Sequence, residues 1–480
     1  MRFLFTTIQG FESEFYGRVG AELAQLGHEA AHLTVSRLAA ERLRGRDGRA
    51  YALPEVAEAL APTDLADEAR SIVDRYGLAS LRDLYQSDVA SERLGKGEAR
   101  DRAVKHVRAI ERVFDEYQPD VLIPEVGREL PRTVAHTVAL SRGIPTFFLF
   151  YTIFPRGLRL YVDTMHAPIV DPSELRPLND DERREIEAFR RSFIERAAPI
   201  RPRRSQKVTA RNVRRLALYV AAKAGRDRQN EYLHPLEWLG RAALERVRLP
   251  ATSLLYERPA PGRPFVYFPL HDTEDYKIRH VLPQFADQAP VVEHLAHALP
   301  AGYDLVIKEH PQSIGQNPLG LLRRLGRRRN VRLVHPRTST HQLLQDAAAV
   351  AVISSTVGLE ALLYGKPVLT LGRPFYSGYG VTVDIDSVDQ IDVGLAAALD
   401  YRPDPDRIDQ LLFAAMGRCY AGAPVLVDAS DDNARTLATS IDAAAGEFAK
   451  TKDSLNGGQT AAGSSSEDID NIPAGRTDAS

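Results

Sequence analysis

The sequence has almost no cysteine. Cys419 stands alone among 480 residues, which excludes an intramolecular disulfide framework and a cysteine-rich zinc site. A lone thiol suits a reducing compartment. Long hydrophobic runs are missing too: the most apolar stretch, around Thr146 to Tyr151, falls far short of a bilayer span. The opening MRFLFTTIQGFES has no long apolar core before its first polar turn, unlike a signal peptide. Neither sign of charge is in excess. Lys and Arg number 62 against 64 Asp and Glu, a formal charge of −2, which argues against general attraction to nucleic acid. Glycine is sparse after the first strand, where Gly10 stands alone, so that loop is not a dinucleotide fingerprint. No repeat or coiled-coil heptad is visible. No metal site is picked out: His335 and His341 lack an acidic partner, and Asp384, Asp386 and Asp389 read as a solvated connector. The need for a divalent ion stays open. These absences leave a cytoplasmic protein of two or three domains, with 44% hydrophobic residues and cores that need no staple.

The pattern that is present alternates strand and helix. Arg2 to Ile8 reads as a buried strand, a helix follows to about Leu26, and Ala30 to Val35 is a second strand. A helical, charged region follows from Pro54 to Tyr117. Val121 to Ile123 then forms a short strand, Thr133 to Ser141 a helix, and Pro145 to Phe150 a further strand. The second series begins with Phe265 to Phe268. It continues with a helix at Val291 to Ala298, strands at Asp304 to Lys308 and Val331 to Val334, and a helix at Thr340 to Ala347. A strand at Val350 to Ile353, a helix at Gly358 to Tyr364 and a strand at Val368 to Leu371 complete it. Such alternation predicts an α/β fold with parallel sheets. Between the two series lies a basic stretch, 190–228, with 13 Arg or Lys residues against Glu195 and Asp227. It is either a solvated helical connector or a surface for anionic lipid or acceptor, with Arg201, Arg203, Arg204, Arg214 and Arg215 as contacts. The expected divisions are an N-terminal acceptor domain (1–180), the basic connector (181–258) and a nucleotide-binding domain (259–400). C-terminal helices (401–450) pack back on the first domain, and a tail (451–480) is too polar to fold.

Three motifs carry chemistry. Lys308-Glu309-His310-Pro311 follows a strand, where His310 and Lys308 can meet a phosphate or sugar oxygen; the alternative is an ordinary strand-end turn. Ser354-Ser355-Thr356-Val357-Gly358-Leu359-Glu360 runs from a strand into a helix start that offers amides and hydroxyls to phosphate. Gly358 permits close approach and Glu360 can accept from a sugar hydroxyl, or Ser355 or Thr356 simply caps the helix. Gly372 opens an aromatic, glycine-rich loop running to Gly380, whose Arg373, Tyr376 and Tyr379 either cover a donor or pack between domains. For the acid or base, Glu125 and Glu129 follow the Val121 strand, with Arg128 between them and Asp163 further on.

From Phe265 to Thr382 the chain resembles the capsule polysaccharide biosynthesis family. KEHP at Lys308, SSTVGLEAL at Ser354 and GKPVLTLGRPFYSGYGVT at Gly365 carry the likeness. In many relatives a glutamine follows the first strand, where this chain has His271 and Asp272. The resemblance implies a GT-B-like architecture, two Rossmann-like domains with an interdomain cleft. It also implies a glycosyltransferase that moves a sugar to a surface polysaccharide or glycolipid. The co-substrate is a nucleotide sugar, CMP-linked and acidic first, UDP-linked second. Lys308, His310, Ser354, Ser355, Thr356, Gly358, Glu360, Arg373 and Tyr376 become donor contacts, and Glu125, Glu129 and His310 catalytic candidates. Peripheral contact with the inner face of an anionic membrane or with export machinery follows as a partner expectation; nucleic acid does not. The competing readings are a polyol-phosphate transferase, a nucleotide-sugar epimerase, or a non-catalytic assembly scaffold.

Overall fold

The computed structural model describes residues 1–164, 170–197, 210–272, 274–311 and 313–461. The first half runs β1 (Arg2–Thr7), α1 (Gly10–Gln25), β2 (Glu29–Thr34), α2 (Arg37–Arg44) and β3 (Arg49–Ala52). It continues through α3 (Leu53–Glu58), α4 (Leu65–Tyr76), α5 (Arg82–Tyr85), α6 (Lys96–Tyr117), β4 (Val121–Pro124) and α7 (Leu130–Ser141). The four strands are parallel and pair in the order β3-β2-β1-β4. Phe3, Leu4 and Phe5 of β1 are all fully buried, because both faces of the sheet are covered. An unbroken apolar run, rather than an alternating one, is the signature of such a strand.

The next two strands depart from the sequence reading. Pro145 to Phe150 was expected to continue the strand–loop–helix series. Its start does continue the parallel pairing, with Thr146 bridged to Leu122 of β4, but β5 (Phe147–Tyr151) then forms an antiparallel pair with β6 (Leu158–Val162). The connection between them is too short for a parallel crossover, and Gly157, at φ 76°, supplies the left-handed residue that turns the chain back. Three helices follow: α8 (Asp180–Arg196), α9 (Ala210–Ala224) and α10 (Pro235–Ser253).

The second parallel sheet holds six strands. In chain order come β7 (Phe265–Pro269), α11 (Ala289–Ala298), β8 (Asp304–Lys308), α12 (Leu319–Leu325) and β9 (Val331–Val334). Then come α13 (Thr340–Asp346), β10 (Ala349–Val352), α14 (Thr356–Leu363), β11 (Val368–Thr370), β12 (Val383–Asp384) and α15 (Ile391–Asp400). The spatial order is β12-β11-β10-β7-β8-β9. Both parallel sheets therefore reverse direction beside their first strand, between β1 and β4 and between β7 and β10. Ligand crevices in open α/β sheets lie outside the carboxyl ends of the strands at such reversals.

The chain then returns to its beginning. After α16 (Pro405–Gly417), β13 (Cys419–Tyr420) pairs with β6, and α17 (Asp431–Ala461) packs on α1. Leu437, Ala438 and Ile441 of α17 share a buried cluster with Phe3, Phe5, Phe15 and Val19. The expected start of an unfolded tail at Thr451 falls inside this helix, which ends at Ala461; residues 462–480 lie outside the described structure. Tertiary packing of the first half of α17 provides the costly nucleus, and each later residue then adds a bond at little expense. No described helix is long and apolar enough to cross a membrane.

Because α17 covers the N-terminal sheet, Leu437→Ala is expected to destabilise the fold by about 2–5 kcal/mol. Amide exchange should speed up in β1 and α1 while β7 and β8 keep their protection. Equal acceleration in both sheets would contradict this coupling.

Candidate functional site

Three segments meet at the reversal of the second sheet. β7 ends at Leu270-His271, β10 at Ile353-Ser354, and β8, on the other side of β7, at Lys308-Glu309-His310. The buried imidazole of His271 accepts the Ser354 amide N–H at Nε2, 3.2 Å away, so the proton of the neutral ring is on Nδ1. Its main-chain N–H donates to Gln288 Oε1 at 2.8 Å. Burial, reinforced by His310 and Lys277 and opposed by Asp275, pushes the His271 imidazole down to about 4. Asp272 accepts a hydrogen bond from Ser313 Oγ at 2.9 Å, and the Ser313 amide donates to the His310 carbonyl at 2.9 Å. The turns after β7 and β8 are thus tied together, and His310 is presented half-buried beside His271.

Ser355 caps α14, its Oγ accepting from Val357 N at 3.2 Å, so the capping alternative is realised; Ser355 and Thr356 nevertheless keep exposed surface at the helix start. Gly358 is required for a reason the sequence did not disclose: a Cβ there would lie 2.1 Å from the Tyr376 hydroxyl. Lys308 is buried, donating from Nζ to the Thr338 carbonyl at 3.1 Å and to Thr340 Oγ1. It opposes the effect of burial on Glu360, whose carboxyl is pushed up to about 7. Lys308 and Glu360 are thus both buried, the carboxyl shifted toward its neutral form.

The aromatic loop is corrected by the structure. Tyr376 is fully buried and donates to the Ser355 carbonyl; Tyr379 is buried and donates to the Val170 carbonyl at 2.6 Å; Phe375 is stacked under Arg159. These rings are core, with no face left to stack on a base, because three large apolar side chains gain more from burial than an open loop returns. Arg373 is turned outward, bonded through Nε and Nη2 to Asp386 Oδ1 at 2.9 and 2.5 Å. Tyr376 thus meets the start of α14 through the Ser355 carbonyl as a packing contact, and Arg373 is held by Asp386.

A second cluster occupies the reversal between β1 and β4. Glu12 accepts the amides of Ile8 and Gln9 at 2.8 and 3.0 Å and pairs with buried Arg132 at 2.8 Å, which also pairs with Glu129 at 2.8 Å. Glu125 is buried and accepts from the Tyr16 hydroxyl. The Glu129 carboxyl is raised by burial, against the pull of Arg132, and its side chain is 19% exposed, on the wall of a 910 Å³ cavity. That cavity runs between the β1–α1 loop, α2, α9 and the start of α10, with Arg215 over Phe11 and Tyr219. It includes none of the donor candidates. Arg128, between Glu125 and Glu129 in sequence, bonds the Ser87 carbonyl, Glu92 and Glu274. Glu274 follows β7, so the loops at the two reversals touch. Asp163 serves a turn: its Oδ1 accepts the Thr146 amide at 2.7 Å, closing the β5–β6 hairpin. Arg214 is exposed, while Arg201, Arg203 and Arg204 lie outside the described residues.

His271, Glu12, Arg132 and Tyr16 are members of these clusters that sequence reasoning did not select. For His271 the signal was its position after a first strand, the same warrant used for His310. For Glu12 it was the Gln9-to-Glu12 capping box at the start of α1. Nothing in the sequence marks Arg132. Among the described residues, no group of three or more His, Cys, Asp or Glu side chains forms a metal site.

The donor motifs lie within a larger matched region. Residues 189–396 match the capsule polysaccharide biosynthesis protein family. The resemblance read from the motifs therefore holds, over a wider span than 265–382. The chain is similar to the capsule polysaccharide modification protein LipA of Neisseria meningitidis serogroup B, 37% identical over 81 residues, 17% of this chain and 12% of LipA. It is similar to the capsule polysaccharide export protein KpsS of Escherichia coli, 32% identical over 117 residues, 23% of this chain and 27% of KpsS. The matched segments thus span a minor part of these family relatives. Among solved structures, Thermosulfurimonas dismutans KpsC, a beta Kdo 2,7 transferase, aligns at 15% identity and TM-score 0.31, over 67% of this chain and 88% of that one.

The raised Glu360 carboxyl has a signed consequence. Native Glu360 holds a proton that the unfolded chain releases, so its contribution favours folding below about pH 4.5 and is lost as pH rises to about 7. Glu360→Gln should therefore gain on wild type with rising pH, by roughly 3 kcal/mol in total. The Tm of Glu360→Gln minus that of wild type should rise from pH 5 to pH 8; a fall over this range contradicts it. Separately, Gly358→Ala should lower Tm and displace the Tyr376 ring.

Proposed function

We propose that this family member is a glycosyltransferase of surface-polysaccharide assembly, built as two Rossmann-like domains in a GT-B-like arrangement with an interdomain cleft. Residues 1–180 form the acceptor domain, 181–258 the basic connector and 259–400 the nucleotide-sugar domain, with 401–450 returning to the first. The observation that carries the reading is the convergence of His271, His310 and the Ser354–Thr356 helix start at the β7/β10 reversal. Amides at the start of α14, the Ser355 and Thr356 hydroxyls and His310 suit a phosphate whose charge grows as the sugar leaves.

In the proposed reaction an acceptor hydroxyl loses its proton to a carboxylate and its oxygen bonds the anomeric carbon. The sugar–phosphate bond breaks, and the nucleotide departs with the electron pair. Glu129 fits the base better than Glu125: burial raises its proton affinity toward neutral pH, and it opens on a cavity, whereas Glu125 is closed under Tyr16. A CMP-linked acidic sugar is the first donor, a UDP-linked sugar the second. The acceptor is a surface glycan or glycolipid, and membrane or export-machinery contact accompanies it. No metal enters any step proposed.

Thermal stabilisation by CMP, CDP, UMP, UDP and GDP tests the donor site. A nucleotide at 100 times its Kd should add about 2.7 kcal/mol of stability to wild type, and this gain should disappear in His310→Ala. Selectivity for CMP supports the acidic-sugar donor; selectivity for UDP moves the chemistry to the second donor. No response to any nucleotide sinks the proposal. Incubating the donor without an acceptor separates the epimerase reading, since an epimerase turns over alone and a transferase does not.

A further inference from the structure

A surface helix ordinarily turns its apolar stripe to the core. α10 does the reverse. Leu236, Leu239, Ala243, Val247 and Leu254 recur at helical spacing along one side, and that side faces solvent. Leu236 is 78% exposed, Val247 73% and Leu254 86%. Only Pro235 and Thr252 of this helix are buried. Nine of the fifteen large hydrophobic residues exposed among the described residues lie between Val213 and Leu254, on α9, α10 and the end of α10. An apolar face of this extent needs a cover.

The charge around it states what kind. Arg246 flanks the apolar side on one edge by its position on the helix, whereas Arg248 is turned inward to the Gln316 carbonyl at 2.8 Å and Arg241 lines the 910 Å³ cavity. Residues 210–254 carry nine Lys or Arg against four Asp or Glu, in a chain whose total charge is −2. Three of those four acids are engaged elsewhere: Asp227 is buried on Ser36, Glu231 is paired with Arg102 and Glu237 with Arg93. A second copy docked by a twofold axis would bring these same arginines against each other. A bilayer with anionic headgroups takes the apolar side at its interface and the arginines at its phosphates.

We propose that α10, with α9 beside it, lies on an anionic lipid surface, its solvent-facing side seated in the headgroup boundary. The surface extends past the basic stretch 190–228 that composition alone singles out: α9 lies within that stretch and α10 after it. It also stands apart from the donor assignment, because a chain that bound no nucleotide would still bind lipid through α10. The 910 Å³ cavity shares Leu218 of α9 and Trp238 and Arg241 of α10, so the face that meets the bilayer borders the space beside Glu129.

Cosedimentation of the full chain with phosphatidylcholine vesicles, with and without phosphatidylglycerol, tests this. The protein should pellet with the anionic vesicles, less so as salt rises. The double variant Leu239→Glu with Val247→Glu should lower the partition coefficient at least about tenfold. Val393→Glu, at a 76% exposed valine of α15, should bind as wild type does, and both proteins should keep the wild-type Tm. Equal binding to neutral vesicles, no binding to either, or binding indifferent to the α10 substitutions overturns the proposal. So does a lipid-free dimer that the double variant disperses, which would make this face a contact between copies.

Discussion

Arg128 is a buried cation, and one of its three partners, Glu274, links the loop after β4 to the segment after β7. It sits in the loop after β4, between Glu125 and Glu129, and reaches the Ser87 carbonyl, Glu92 and Glu274. Glu92 and the Ser87 carbonyl hold Arg128 from its own side, and Glu274 adds a partner from the segment after β7. Ser87 and His280, 2.8 Å apart, add a second link across the same contact. Each loop lies at a strand-order reversal, so this ion-pair cluster brings the loops of the two reversals into contact. The proposed reaction needs that juxtaposition, with donor phosphate on one side and acceptor hydroxyl on the other.

The two sides are prepared differently. Around β7 and β10 the polar groups are held neutral or compensated: His271 by burial and its bond to the Ser354 amide, Glu360 by a raised carboxyl, Lys308 by Thr338 and Thr340. An incoming phosphate would meet amide and hydroxyl dipoles without a fixed anion in direct opposition. Around β1 and β4 the charges are paired instead, Glu12 with Arg132 and Arg132 with Glu129. Gly127 belongs to this arrangement, since a Cβ there would meet Arg132 Nη1 at 1.7 Å.

Much of the second sheet was legible because parallel strands covered on both faces are short apolar runs, and Gly or Pro punctuates them. Phe265, Asp304, Val331 and Val368 begin strands where the pattern places them. The aromatic loop left two readings open for a physical reason. Tyr376 and Tyr379 carry the same composition whether a loop is open or packed, and only their bonds to the Ser355 and Val170 carbonyls show that it is packed. Likewise, Arg373 and Lys308 look alike as phosphate cations in sequence, yet one is spent on Asp386 outside and the other on Thr338 and Thr340 inside.

Local chemistry settled what each segment is. Apolar period, caps and breakers depend on neighbours in the chain, so the strand–helix order, the capped start of α14 and the strand-end placement of His310 followed from sequence alone. Which segments meet depended on contacts between residues far apart in the chain. His271 with Ser354, Arg132 with Glu12, Arg128 with Glu274 and α17 with α1 are such contacts, and so is the outward turn of the apolar side of α10. Those pairings come from sheet order and the burial of paired charge, quantities that no local pattern contains.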